Sequence, residues 1–98
     1  MYSRGDGVVQ DYSQALKWYR KAAGQGLARA QYNLGWMYEK GQGVAQDDVQ
    51  AYMWFNLAAA QRDEGAAEHR DKLAQSMTPD QVAEAQILAR EWTEKHPK

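Results

Sequence analysis

The sequence predicts an all-α protein, a short solenoid of stacked helix pairs that ends in a capping helix, and three observations support this fold class. Residues 1–62 contain the same pattern twice, at a spacing of about 36 residues. Amphipathic segments with helical spacing alternate with Gly-rich turns. No segment shows the alternation of a half-buried strand, and Val and Ile are scarce. Units of this length stack because none can bury its own apolar face alone.

The internal repeat divides the chain into a partial unit at 1–26, a complete unit at 27–62, and a final part at 63–98 that departs from the period. The pairs that align are Met1-Tyr2 with Met37-Tyr38, Gly5-Asp6-Gly7-Val8 with Gly41-Gln42-Gly43-Val44, Gln10-Asp11 with Gln46-Asp47, Ala15 with Ala51, Trp18-Tyr19 with Trp54-Phe55, and Ala22-Ala23 with Ala58-Ala59.

The partial unit predicts a turn followed by one helix. Gly5-Asp6-Gly7 indicates the turn, and Asp11 is the expected N-cap, with Gln14 three residues on in the capping-box position. The helix that follows carries a stripe at i, i+3, i+4 and i+7, formed by Ala15, Trp18, Tyr19 and Ala22.

The complete unit predicts two helices with a glycine turn between them. The first runs from Ala28 to Lys40 and is expected to end at Gly41, since glycine adopts the left-handed C-terminal conformation without steric cost. The second runs from about Asp47 to Gln61, with Asp47 as N-cap and Gln50 in the capping-box position. Each helix has one apolar face: Ala30, Leu34 and Tyr38 in the first, and Ala51, Trp54, Phe55 and Ala58 in the second.

The final part predicts a polar turn, a short helix and a longer terminal helix. Arg62 to Gly65 reads as the turn, and the short helix runs from Ala66 to about Gln75. Thr78-Pro79-Asp80-Gln81 predicts a helix start with Thr as N-cap, Pro in the first turn and Gln at N3, and this helix extends to about Lys95. Its inward stripe comprises Val82, Ala85, Leu88, Ala89 and Trp92, and its outward residues include Glu84, Arg90, Glu91 and Glu94.

One helix face changes character between the two copies. Lys17, Arg20 and Lys21 of the first copy become Met53, Asn56 and Leu57 in the second. A largely apolar face needs a cover, and the terminal helix of the chain is the expected one. The alternative is a partner site at Met53 and Leu57.

Composition excludes several classes of function. The formal net charge of -1 lacks the clustered basic excess that nucleic-acid binding requires. The absence of Cys excludes disulfides, thiolate metal sites and a cysteine nucleophile. No apolar run is long enough to span a bilayer, so no membrane insertion is expected. The N-terminus lacks a secretory signal pattern, and the compartment stays open between cytoplasm and periplasm.

No constellation of residues indicates catalysis, so the sequence predicts a protein that is not an enzyme and needs no cofactor. Neither Gly-rich turn follows a strand or carries a Lys-Ser/Thr pair, which argues against phosphate binding. His69 and His96 lie far apart in sequence and have no second ligand at metal-binding spacing.

This pattern resembles the Sel-one-like repeat (SLR) of the tetratricopeptide-like (TPR-like) superfamily. The residues that carry the resemblance are Ala30, Leu34-Gly35 and Tyr38, then Gly41-Gln42-Gly43-Val44, Asp47, Ala51, Trp54-Phe55 and Ala58-Ala59. The tail, with Leu73, Met77-Thr78-Pro79 and Trp92, resembles the cap that often follows such arrays in bacterial proteins. The resemblance implies a right-handed superhelix whose first helices line a concave face, and an adaptor or scaffold function for protein partners.

On the expected concave face, aromatic, Arg and Asn side chains lie at helical spacing, as in interaction hot spots. The candidate residues for binding a protein or peptide are Arg29, Tyr32, Asn33, Trp36, Lys40, His69 and Lys72. Met37 and Glu68 adjoin them, and for both Trp36 and Met37 simple packing between units is the alternative.

Two features depart from the family pattern. The chain contains fewer than two complete repeats, and its first unit lacks nearly all of the opening helix. We therefore expect Leu16, Trp18 and Tyr19 to lack part of their usual neighbours. Either the chain belongs to a longer array, or another molecule covers this end, for example through self-association.

Overall fold

The computed structural model describes residues 12–96, and these residues form five α-helices. Their bounds are α1 Tyr12–Gly24, α2 Ala28–Lys40, α3 Asp48–Ala59, α4 Glu64–Ala74 and α5 Pro79–Lys95. Between residues 12 and 96 there is no β-strand, and the all-α prediction is confirmed. The expected first turn, Gly5-Asp6-Gly7, and the expected N-cap at Asp11 lie outside the described residues.

Helix α3 is the centre of the fold. Consecutive helices pack as neighbours from α1 to α4, and α5 returns to pack on α3. Helix α3 therefore contacts α2, α4 and α5, which explains why it is apolar on nearly all sides: Ala51, Tyr52, Met53, Trp54, Phe55, Leu57 and Ala58 are all buried. In the described part of the chain, no helix is long and apolar enough to cross a membrane.

The glycine turn after α2 has the predicted geometry. Gly41 takes a left-handed conformation with φ 72°, and its N–H donates to the Met37 carbonyl oxygen at 2.8 Å. Gln42 donates to the same oxygen at 3.0 Å, so two N–H groups satisfy the end of the helix. A side chain at either Gly41 or Gly43 would be strained, since Gly43 also has a positive φ of 78°.

The N-caps of α3 and α4 differ in part from the sequence-based expectation. The Asp47 carboxylate accepts from the Gln50 N–H at 3.1 Å, as predicted, but the Asp47 N–H donates to the Tyr38 carbonyl rather than completing a capping box. Helix α4 begins two residues earlier than expected because Asp63 caps it, accepting from the Ala66 N–H at 3.1 Å.

Helix α3 also ends earlier than the predicted Gln61. After Ala59 the helix gives way to a tight turn, in which the Arg62 N–H donates to the Ala59 carbonyl at 2.8 Å. Arg62 itself adopts a positive φ of 72°, the left-handed conformation that reverses the chain toward Asp63.

The start of α5 is a complete capping box. The Thr78 hydroxyl accepts from the Gln81 N–H at 3.1 Å, and the Gln81 side-chain oxygen accepts from the Thr78 N–H at 2.9 Å. Pro79 occupies the first turn, where its missing N–H has no consequence. The reciprocal cap fixes the direction in which the terminal helix leaves Met77, which is buried.

Helix α5 covers the apolar face that distinguishes the second copy from the first. Met53 and Leu57 are buried in a cluster that includes Ala89 of α5. The Trp54 ring meets the Trp92 ring edge-on at 5.9 Å between centroids. The expectation that the terminal helix caps the array is therefore confirmed.

Trp18 and Trp54 occupy equivalent repeat positions but have different environments. Trp54 is 9% exposed beneath α5, whereas Trp18 is 64% exposed. The exposure of Trp18 agrees with the expectation that the first unit lacks part of its usual neighbours. Leu16 and Tyr19 are only partly buried against the core, as the expectation of missing neighbours implied.

A buried glutamine joins α1, α2 and the end of α3. Gln31 is 1% exposed, and its side-chain amide donates to the Ala23 carbonyl at 3.2 Å. Its oxygen accepts from the Gln61 side chain at 3.0 Å. Both polar ends of the buried amide are thus paired, and the contact fixes how the two units meet.

Candidate interaction groove

Four of the predicted binding residues form one stripe along α2. Arg29, Asn33, Trp36 and Lys40 follow one another at three- and four-residue spacing, so they share a helix face. Asn33 and Trp36 line a groove of about 210 Å³ between α1 and α2. We call this groove, together with the Arg29–Lys40 stripe along its α2 side, the α1–α2 groove.

The opposite wall of the α1–α2 groove comes from α1. Tyr12, Ala15 and Tyr19 line it from this side, and Met37 and Gln42 complete the lining. Met37 is buried, so its role is packing, as the alternative interpretation held.

The repeat explains why none of the five described helices covers this wall. Ala15 and Tyr19 correspond to Ala51 and Phe55, which are fully buried where α2 crosses α3. At that crossing Gly35 lets the two helices approach closely, because a Cβ there would lie 2.8 Å from the Phe55 ring. Within residues 12–96 no helix lies over Ala15 and Tyr19 in the same way, and both are only half-buried.

The loop after α2 closes one end of the groove. A Cβ placed on Gly43 would come within 2.9 Å of the Tyr12 Cβ, so the turn and the start of α1 are in close contact. Gln42, between the two turn glycines, lines the groove at this end. The Gly-rich turn therefore positions groove residues.

The groove is aromatic and positively charged. The Lys40 ammonium lies 5.4 Å from the centre of the Trp36 ring, a cation–π contact at the surface. Arg29 and Lys40 are exposed, and neither forms an ion pair with another residue of the described part of the chain. Within this part of the chain, both cations would be available to an incoming carboxylate.

Charge is unevenly distributed along the molecule. Positions 12 to 43 contain five basic residues and one acidic residue, whereas positions 44 to 96 contain five basic and ten acidic residues. The net charge of -1 for the whole chain does not reveal this separation of charge. The α1–α2 groove belongs to the basic part of the chain.

Three of the predicted binding residues, Tyr32, His69 and Lys72, lie outside the α1–α2 groove. The Tyr32 ring packs edge-on against His69 of α4, with 5.3 Å between centroids, and its hydroxyl lies 3.5 Å from His69 Nδ1. His69 Nδ1 is also 3.0 Å from the Gly65 carbonyl oxygen. These contacts join α2 to α4, so Tyr32 and His69 serve packing, and Lys72 is exposed one turn further along α4.

Neither histidine belongs to a cluster of metal ligands. Among residues 12–96 there is no group of three His, Cys, Asp or Glu side chains that could hold a metal ion. His96 stacks on the Trp92 ring at 4.0 Å and lies 2.8 Å from the Trp92 carbonyl oxygen, at the C-terminus of α5.

Most of the α1 side of the groove was not predicted from the sequence. Tyr12, Ala15 and Gln42 were not among the predicted contact residues, and Tyr19 was predicted only as a residue for self-association. The repeat alignment could have indicated Ala15 and Tyr19, because they align with residues that the first helix of the next unit covers.

Comparison with known proteins supports the helical-repeat architecture described above. The family model for the Sel1 repeat matches residues 1–27 and 28–63, which is more than half of the chain. No curated protein matches the chain at a significant level. Among solved structures, one similar protein is c5321, a protective antigen present in uropathogenic Escherichia coli strains that displays an SLR fold.

The likeness to that antigen extends over nearly the whole chain. The TM-score is 0.87 at 39% sequence identity, and the match covers 95% of this chain. It covers 20% of the antigen, so the chain spans a fifth of the length of that protein. Two Sel1-repeat matches, the helix-pair architecture and this structural likeness lead to one conclusion: the chain belongs to the Sel1-repeat family.

Proposed function

We propose that the protein is a non-enzymatic binding module that holds a protein or peptide partner in the α1–α2 groove. One observation carries this proposal: a half-buried Trp36 is flanked by two exposed cations, beside an α1 wall that no helix within residues 12–96 covers. Repeats of this family generally serve protein–protein interaction, which agrees with the proposal at the level of the family.

The chemistry of the groove suits a protein partner. Aromatic and Arg side chains contribute most to binding energy at interfaces, because they bury large areas and orient hydrogen bonds. Trp36, Tyr12 and Tyr19 supply the apolar area, and Asn33 offers both a donor and an acceptor. Arg29 and Lys40 would pair with acidic groups at the rim.

Reversing the charge of both rim cations is expected to remove the partner. The Arg29→Glu/Lys40→Glu variant should lose about 90% or more of the protein that the wild-type chain captures from an extract of its source cells, since each lost charge contact costs of the order of 1 kcal/mol or more. Quantitative mass spectrometry of the captured fraction measures this loss.

A matched control has the same net charge. Lys17→Glu/Arg62→Glu also reverses two exposed cations, and neither position lines the groove. It should capture the partner as the wild type does. Equal capture by all three proteins, or equal loss in both variants, would remove the support for the groove.

A second candidate function is that of a structural end-piece that docks on further repeats or on another copy through the end of α1. Trp18 and Leu27 are exposed large apolar residues, and both border a shallow surface depression with Lys21, Ala22 and Gln25. Leu16 and Tyr19 adjoin this end. This candidate predicts that Trp18→Lys reduces self-association while the groove variant does not.

A further inference from the structure

The outer face of α5 carries an acidic stripe. Its residues occur at i, i+4, i+7, i+11 and i+14, so they lie on one side of the helix, and all five are exposed: Asp80, Glu84, Ile87, Glu91 and Glu94. Ile87, in the middle of the stripe, is one of the exposed large apolar residues of the molecule. The inner residues of α5, such as Ala85 and Ala89, remain buried on α3.

This acidic stripe complements the α1–α2 groove. Arg29 and Lys40 are 11 residues apart on α2, a distance of about 16 Å along the helix. The acidic stripe runs from Asp80 to Glu94, about 21 Å, and so is somewhat longer than the distance between the two cations. In such a contact, Ile87 with acidic residues on both sides would pack against Trp36, which has Arg29 on one side and Lys40 on the other.

We infer that the α1–α2 groove of one copy binds the acidic stripe of α5 from a second copy. The inference rests on the proposed function, because it names the partner of the same groove. It draws on charge complementarity, on a stripe long enough to reach both cations, and on Ile87, which would be buried against Tyr19 and Trp36.

The two surfaces belong to different parts of the chain, so the contact is head-to-tail. Each copy has one groove and one stripe, and binding at one leaves the other available. Such a contact extends into a filament or closes into a ring, and two copies that make it reciprocally form a two-fold dimer. Screening of the charge pairs predicts weaker association at high salt.

Paired charge reversals test this contact in sedimentation velocity. The groove variant is Arg29→Glu/Lys40→Glu, and the stripe variant is Glu84→Lys/Glu91→Lys, with both substitutions at exposed positions. We expect the self-association constant of each variant to fall at least about tenfold below that of the wild type. An equimolar mixture should associate again, because each groove then faces a stripe of opposite charge.

The Lys17→Glu/Arg62→Glu variant is the control, since it has the same net charge as the groove variant, lies outside both candidate docking surfaces and should associate as the wild type does. Circular dichroism melts should show that all variants keep the fold. A wild-type chain that stays monomeric, a mixture that does not associate, or association lost only in Trp18→Lys would each overturn the inference. Capture of a different protein through an intact groove would leave the proposed function standing, so the two failures are distinguishable.

Discussion

A chain that ends at Met77 is expected to lose its cooperative unfolding transition. Without α5, the side chains of Met53, Trp54 and Leu57 would be exposed on α3. Burial of each contributes about 1.5–3 kcal/mol, so their combined loss approaches the whole stability of about 5–15 kcal/mol of a small domain. Thermal unfolding followed by circular dichroism should then show a broad, gradual change in place of a sigmoidal transition.

The control for this truncation is Ile87→Ala in the full-length chain. Ile87 is on the outer face of α5, so the change should alter the free energy of unfolding by about 0.5 kcal/mol or less. A truncated chain that melted as sharply and at the same temperature as the full chain would show that α5 is not the cover of α3.

Gly35→Ala is expected to destabilise the fold even though alanine favours helices. A Cβ at this position would lie 2.8 Å and 2.9 Å from two Phe55 ring atoms and 3.1 Å from the Ala51 carbonyl oxygen. Overpacking at a buried helix crossing costs about 1–3 kcal/mol, more than the gain of about 1 kcal/mol in helix propensity can offset in full. The melting temperature should fall by roughly 5 °C or more.

Gly24→Ala makes the same substitution where there is space. Gly24 is the last residue of α1, and nothing lies within 4 Å of a Cβ built there. This variant should melt at or slightly above the wild-type temperature. If both alanine variants melted alike, close approach of α2 and α3 at Gly35 would not be the reason for the glycine.

Local signals in the sequence predicted the helix ends well where a cap is self-contained. Thr78 and Gln81 satisfy each other within four residues, and Gly41 needs only its own backbone freedom. Asp63 was not predicted as the N-cap of α4, because the polar residues before Ala66 are equally compatible with a longer turn. Only the turn at Arg62, with its positive φ, brings Asp63 to the start of a helix.

Tertiary contacts were harder to predict than helices. Gln31 is a polar residue whose burial depends on Ala23, eight residues before it, and on Gln61, thirty residues after it. Trp18 has the same local pattern as Trp54, but their exposure differs because a helix that lies far along the chain, α5, covers only Trp54.

The candidate site could be predicted in part. The stripe from Arg29 to Lys40 followed directly from helical periodicity, and the structure places its centre in a groove. Tyr32 and Trp36 are both aromatic residues of α2, and from the sequence they were equally good candidates for binding a partner. In the structure, the Tyr32 ring packs against His69 and Phe55. Tyr32 and Trp36 are one helical turn apart, and it is Tyr32 that packs against α4 because α4 lies on its side of the helix.

The most direct measurement of the central claim is photocrosslinking from inside the groove in the source cells. A benzophenone amino acid replaces Asn33, which lines the groove, and in a second protein it replaces Gln75, which is exposed just after α4. The account predicts a crosslinked protein from position 33, whether a second copy or another partner, and none from position 75. Adducts of equal yield from both positions, or from position 75 alone, would contradict it.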